Sequence, residues 1–230
     1  MLSPIQQKLI NIGNLTSKLL RKNFGRGPEV CQAFLKYRYL VFYLRGFVSP
    51  MEAVLLKNGN ADNIYISRNI VMESVLSQLK GILELEFGEE VLDFYHDWNY
   101  SKNTGMITIV FEKDVLPTEE DIEAFPERVA LINEVNRISA IVQKIPESTE
   151  VYRISPKLFV VKRTGILIPL EKALISKGCH QTLLVTIDDL MKSYCDREGR
   201  FEAIFGQPYE DIFVDWNLNQ DNSLMCLMLR

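Results

Sequence analysis

The pattern Asp-x-x-x-Asp-Trp-Asn occurs twice in this chain, as Asp93 to Asn99 within "LDFYHDWNY" and as Asp211 to Asn217 within "EDIFVDWNL", 118 positions apart. A sequence of 230 residues that carries one pattern twice at that distance is constrained to build one supersecondary unit twice. Further matches keep nearly the same register. Phe87-Gly88 recurs as Phe205-Gly206, 118 positions on; "GFVSPMEAVL" from Gly46 recurs as "GILIPLEKAL" from Gly165, 119 positions on; and "PIQQKLINIGNLTS" from Pro4 recurs as "PERVALINEVNRIS" from Pro126, 122 positions on. The shrinking offset places a loss of about three residues in the second copy near Gly25–Pro28, where "IPESTE" stands instead. The domain boundaries expected from this are 1–115 and 116–230, with "PTEED" at 117–121 as a linker or short extra turn.

Each copy reads α-β-β-α-β-β when the apolar period is followed along it. Ser3, Pro4 and Gln6 form an N-cap, a first-turn proline and a capping-box partner for a helix that carries Ile5, Leu9, Ile12 and Leu19 at helical spacing and ends near Gly25. The second copy repeats this helix from about Pro126 to Lys144. Runs rich in β-branched and aromatic residues, "VCQAFLKY" and "YLVFYLRGFV" in one copy and "VYRIS" and "LFVVKRTGILI" in the other, predict a strand hairpin. A short helix at the Gly-x-x-x-Pro-x-Glu segment and a long helix ending at Gly88 or Gly206 follow. Strands are then expected at 91–99 and 210–218, each leading through a turn, "SKNTG" or "NQDNS", into a final apolar strand. The predicted fold class is α+β, two homologous units with antiparallel sheets packed as an intrachain pseudo-dimer.

Strand alternation sorts the repeated motif into faces. Phe94, His96, Trp98 and Tyr100 in the first copy, and Ile212, Val214, Trp216 and Leu218 in the second, are expected to point into the core. Asp93, Tyr95, Asp97 and Asn99 then point outward or toward a partner. The only two tryptophans become the anchors of the two sheets. Asparagine is a poor helix former, yet Asn11 and Asn14 recur as Asn133 and Asn136 in the first helix of each copy; helix pairing through these amides competes with simple solvent exposure.

Composition bounds the function. The mixture is 47% hydrophobic and 24% charged with net charge −4 and pI near 5.4, which gives an ordinary core and none of the basic excess of a general nucleic-acid binder. No run of about 18 apolar residues and no signal-peptide h-region is present, so a cytoplasmic location is expected. Cys31, Cys179, Cys195 and Cys226 show no C-x-x-C spacing and read as reduced thiols. No Walker loop, dinucleotide fingerprint, H-E-x-x-H or G-x-S-x-G motif occurs; no catalytic residue, metal site or cofactor is assigned, and an enzyme is not favoured.

The candidate ligand-binding residues are Asp97, Asn99, Asp215, Asn217 and Arg26. Carboxylates four residues apart on a strand lie about 13 Å apart, too far to share a metal, whereas Asp97 with Asn99 spans about 6–7 Å and could share a polar ligand. The competing reading is that these Asp and Asn residues end a strand and start a turn. Arg26, in "GRGP", sits in a glycine-rich turn able to hold an anion, or one that only stops a helix. Lys8, Lys18, Arg21, Lys22 and Arg26 give residues 1–28 a basic character suited to an anionic membrane surface, but packing is favoured because the second copy rebuilds the helix with Glu127 and Glu134. His96 and His180 fall at unmatched positions, which makes His96 a half-buried core residue and His180 a loop residue beside Cys179.

The run "FGRGPEV…YLVFYLRGFVSPMEAVL", through Gly25, Gly27, Pro28, Gly46, Pro50 and Glu52, resembles the bacterial MpsC-like family, whose members are usually short single-domain proteins. The second copy looks like a diverged repeat that lacks the G-x-G-P loop. The resemblance implies a non-catalytic accessory or interaction role associated with a sodium-translocating system linked to inorganic-carbon uptake, with a protein partner in a membrane transport complex. It implies no catalytic residues. The expected assembly is a monomer acting as a pseudo-dimer, or a homodimer, and the alternative function is a module binding a small molecule or ion between the repeats.

Overall fold

The computed structural model describes residues 3–116 and 125–230. The expected linker at 117–121 lies outside the described residues. The chain divides into two compact units, Met1–Thr118 and Glu119–Arg230.

In the first unit, α1 (Pro4–Phe24) starts with the capping box of Ser3 and Gln6 and ends at Gly25 in a left-handed conformation. Strands β1 (Val30–Lys36) and β2 (Tyr39–Arg45) follow as an antiparallel hairpin. Then come α2 (Pro50–Lys57), α3 (Ala61–Phe87), β3 (Val91–Asn99) and β4 (Thr104–Phe111). The sheet order is β1-β2-β4-β3, antiparallel throughout. The second unit repeats the plan with α4 (Arg128–Val142), β5 (Ser148–Arg153), β6 (Leu158–Thr164), α5 (Pro169–Ser176), α6 (His180–Glu198), α7 (Phe201–Phe205), β7 (Tyr209–Asn217) and β8 (Asn222–Leu229), in the order β5-β6-β8-β7. The fold is α+β, with two similar units and two separate antiparallel sheets. Even the irregularities match, because a bulge interrupts β3 between Val91 and Asp93 and β7 between Tyr209 and Asp211.

The helices cover one face of each sheet. Ile12, Leu20, Phe42, Leu44, Met72, Leu79, Leu83, Trp98 and Ile107 are part of one core, and Leu131, Val135, Ile138, Ile187, Met191, Phe201, Trp216 and Leu227 of the other. Trp98 and Trp216 are buried, at 3% and 6% exposure, and sit at equivalent register points, Trp98 across from Gly105 and Trp216 across from Ser223. Phe94, Tyr100, Ile212, Val214 and Leu218 join the helix-side cores as alternation predicts. Tyr95 and Asp97, on the opposite face, are buried as well.

Three expectations need correction. The long helix of the second unit is broken after Glu198, because Gly199 is extended (φ −66°, ψ 132°) and the chain restarts as α7. The backbone groups released there are taken up by α4: Glu134 Oε1 accepts from Arg200 N–H at 2.8 Å, and Arg137 Nη2 donates to the Glu198 carbonyl at 2.8 Å. A helix interruption persists where side chains satisfy its orphaned groups. Helix α4 itself begins at Arg128, so Pro126 lies before it rather than at its first position. The turns between the last strands are shorter than expected, since Thr104-Gly105 and Asn222-Ser223 already pair in β4 and β8. The amides of the first helices follow the solvent-exposure reading, since Asn11 and Asn133 are exposed and Asn136 accepts from Thr149 Oγ1 within its own unit at 2.6 Å.

Gly105 is required by close approach, because a Cβ there would run into the Trp98 indole. Gly105→Ala should destabilise the protein by roughly 1–3 kcal/mol through overpacking, read as a lower urea midpoint. The same substitution should cost clearly less in a Trp98→Leu background, because the clash partner is gone. Equal costs in both backgrounds would place the effect elsewhere.

Candidate functional site

The polar residues singled out by sequence are engaged locally. Asp97 Oδ1 accepts from the Trp98 N–H at 2.6 Å, and Asp215 Oδ1 accepts from the Trp216 N–H at 2.8 Å. Asn99 Oδ1 accepts from Ser101 Oγ at 2.7 Å and Lys102 N–H at 3.2 Å, and Asn217 Oδ1 accepts from Gln220 N–H at 3.2 Å, so both asparagines start the turn after their strand. Arg26 pairs with Glu29 at 3.2 Å, and the matching residues of the second unit, Lys144 and Glu147, do the same at 3.4 Å. Each of these glutamates lies against a left-handed glycine, Gly46 (φ 69°) or Gly165 (φ 64°), whose positive φ strains any other residue. The "GRGP" loop is therefore built for packing: a Cβ on Gly27 would meet the Ser17 carbonyl at 2.9 Å.

A tighter constellation lies at the Gly-x-x-x-Pro-x-Glu segment. Ser49 caps α2 by accepting from the Glu52 N–H, while Glu52 Oε2 accepts from the Ser49 N–H at 2.7 Å. The same Glu52 carboxylate receives Arg68 of α3 in a bidentate pair, Nε to Oε1 at 2.7 Å and Nη2 to Oε2 at 3.0 Å, and Nη2 also donates to the Phe47 carbonyl at 2.9 Å. Arg68 is 2% exposed. Its guanidinium lies 4.5 Å from the Trp98 ring and 4.6 Å from that of Phe47, with Phe24 and Tyr100 at 5.7 and 5.5 Å. A planar cation among aromatic faces, with a fork-to-fork carboxylate, is a strongly directional arrangement. It ties α2, α3, β3 and the turn before α2 into one piece.

The turn is held from its other side too. Asn103 adopts a left-handed conformation (φ 54°), and its Oδ1 accepts from the Phe47 and Val48 N–H groups at 2.8 and 2.7 Å. Asp221 (φ 51°) repeats this with Ile166 and Leu167, both at 2.8 Å, and adds Lys172 at 2.8 Å.

The second unit solves the buried carboxylate differently. Glu171, the counterpart of Glu52, accepts from Ile168 N–H at 2.9 Å and from Gln143 Nε2 at 3.0 and 3.2 Å. Ile187 stands at the eighth position of α6, where α3 has Arg68. A buried arginine reappears on β6 as Arg163, across from Ser223, at the register point that Leu44 holds across from Gly105. Arg163 is fully buried and donates to Ser223 Oγ at 2.8 Å and Ser139 Oγ at 3.0 Å, 5.8 Å from the Trp216 ring, with no carboxylate partner among the described residues. Burial draws its pKa down to about 10, against a smaller upward pull from Cys195.

Titratable groups follow their surroundings. Burial pushes the thiols of Cys31 and Cys195 up to about 12, which keeps them protonated. Burial and then Arg68 draw His96 down to about 4, so this half-buried imidazole is neutral; His180 is exposed as the first residue of α6. Among the described residues no group of three His, Cys, Asp or Glu stands together to hold a metal.

Sequence reasoning placed Glu52 in a shared motif but missed Arg68, Asn103, Asp221 and Arg163. A single arginine in an otherwise apolar helix face was the available signal. Arg68→Ala should cost roughly 3–5 kcal/mol by leaving Glu52 buried without its cation, and Arg68→Met with Glu52→Met should cost less than the sum of the single changes in a double-mutant cycle. Additive losses would show that the pair is not coupled.

The pair also sets acid stability. Burial works to raise the Glu52 pKa, but the hydrogen bonds and charge of Arg68 with the Ser49 N–H outweigh it and leave it below the ordinary 4.5; Glu134 and Asp221 are lowered likewise against burial, by Arg137 and Arg200 and by Lys172 with two backbone N–H groups. A carboxylate with a lowered folded-state pKa stabilises above its unfolded value and loses that contribution as pH falls through the folded one. Stability should therefore drop steeply below about pH 4.5, measured as urea midpoint against pH, and Glu52→Gln should flatten that drop.

Residues 6–113 match the family model described as "Na+-translocating membrane potential-generating system (MpsC)". No curated protein and no solved structure matches the chain. The match spans α1 through β4, including the Gly46, Pro50 and Glu52 frame, and the first unit is thus MpsC-like.

Proposed function

We propose that this protein is a non-catalytic accessory component of a Na+-translocating, membrane potential-generating system, acting in the cytoplasm through a protein partner in a membrane transport complex. The observation that carries this reading is the family match over residues 6–113, most of the first unit. The motif residues support it, because Gly46, Pro50 and Glu52 cap a helix, admit a turn and hold Arg68 rather than presenting reactive groups. Among the described residues no helix is long and apolar enough to cross a membrane, so attachment to the membrane system would run through a protein surface. Inorganic-carbon uptake is the process this role would serve. The second reading, a polar ligand held by Asp97, Asn99, Asp215 and Asn217, has less support, since each of these side chains accepts a hydrogen bond from a residue one to three positions further along the chain.

Deletion of the gene should lower the Na+-dependent membrane potential of native cells, recorded with a potential-sensitive dye at high and low sodium, and re-expression of the full chain should restore it. An unchanged sodium dependence in the deletion strain would overturn the accessory role.

A further inference from the structure

The second unit buries a cation with no anion beside it. Arg163 points from β6 beneath α4 and α6, where it reaches Ser139 and Met191, and it is fully buried. The two buried glutamates of the unit are engaged elsewhere, Glu134 with Arg137 and Glu171 with Gln143 and the Ile168 N–H. Cys195 offers no substitute, since burial pushes its thiol up to about 12 and keeps it protonated. An uncompensated charge in a core is costly enough that buried charges are found paired.

Donors also outnumber acceptors around this guanidinium. Nε donates to Ser223 Oγ at 2.8 Å and Nη1 to Ser139 Oγ at 3.0 Å, so both hydroxyls accept from it and keep their own protons to donate. Nη2 is buried and meets no acceptor, and neither does the buried indole Nε1–H of Trp216. Met191 Sδ, 3.9 Å from Nη1, is a weak acceptor. These side chains stand in one row across the sheet, Arg163 opposite Ser223 and Ser223 opposite Trp216. The guanidinium carbon lies 5.8 Å from the Trp216 ring, within the roughly 6 Å that a single acceptor spans with two hydrogen bonds of about 3 Å each.

A water molecule suits this set badly. It would accept from some of the donors but bring its own protons into a place already short of acceptors. An anion adds acceptors only and neutralises the guanidinium as well. The first unit meets the same requirement from its own chain, because Arg68 lies beside the Trp98 indole and the Glu52 carboxylate supplies the negative charge. In the second unit Ile187 stands at the position of Arg68, and the cation sits on the strand instead, apart from the glutamate that corresponds to Glu52.

We infer that the core of the second unit binds one small inorganic anion of the chloride class, held by Arg163 Nη2 and Trp216 Nε1 with the Ser139 and Ser223 hydroxyls turned toward it. The ion is the counter-charge of Arg163. Because all four side chains are buried, it enters and leaves as the unit opens, and its binding is linked to folding.

Urea unfolding of the full chain tests this, with chloride exchanged for gluconate at constant ionic strength, gluconate being too large for the site. Once chloride exceeds its dissociation constant, each tenfold rise should raise the folded-to-unfolded ratio about tenfold, since one ion is released per chain unfolded. Arg163→Leu, which supplies the residue that the first unit has at that register point, should fold without any chloride dependence. Crystals of the wild type grown in bromide give a check that needs no variant: the anomalous signal should peak between Arg163 Nη2 and Trp216 Nε1. A chloride-independent ratio, an Arg163→Leu variant that keeps the wild-type dependence, or bromide found only on the surface would each overturn the site.

Discussion

The carboxylate of Glu52 is the point on which the first unit depends. A glutamate three residues into a helix can close a capping box, but once the turn that bears it is buried its charge must be met in low dielectric or the fold is lost. Arg68 meets it with two hydrogen bonds and then spends its remaining faces on Trp98 and Phe47. The aromatic anchor of the sheet and the cap of a short helix are thereby joined through one guanidinium. Asn103 fixes the opposite side of the same turn, so the hairpin of β3 and β4 and the start of α2 cannot shift independently.

The second unit keeps the geometry and changes the chemistry. Glu171 keeps its capping role, but a neutral amide from the end of α4 replaces the arginine. Arg163 enters from the strand instead and rests on two serine hydroxyls, one of them at the position where the first unit needs glycine. A buried cation held by hydroxyls and an aromatic face is less favourable than one held by a carboxylate, which agrees with its lowered pKa. Two copies of one frame thus reach charge compensation by unlike routes, a pattern expected when packing and polar satisfaction, rather than a particular residue, are what the frame demands. The same tolerance extends to the helix break at Gly199, where Glu134 and Arg137 supply what a continuous helix would have supplied itself.

Divergence also reached the surface. The first helix of one unit presents lysines where that of the other presents alanines, although the inward faces of both are alike. Core positions answer to the sheet beneath them. Exposed positions are released from that constraint and vary more freely between the two similar units.

The sequence by itself determined the α+β class in two similar units, the limits of β3, the place of β7 to within one residue, and the buried faces of Trp98 and Trp216, because strand alternation and repeated spacing are local properties that the chain displays without folding. For Asn99 and Asn217 it left a ligand site and a turn open side by side, and the hydrogen bonds they accept from the following backbone favour the turn. Tertiary structure alone decided the rest. Arg68 finds Glu52 sixteen residues away across a helix junction, Asn103 reaches the backbone of Phe47 from another hairpin, and Arg163 draws on Ser139 and Ser223 from two different elements. Such pairings depend on directions that residue type and spacing do not carry. A lone arginine in an apolar pattern looks like surface until the fold encloses it.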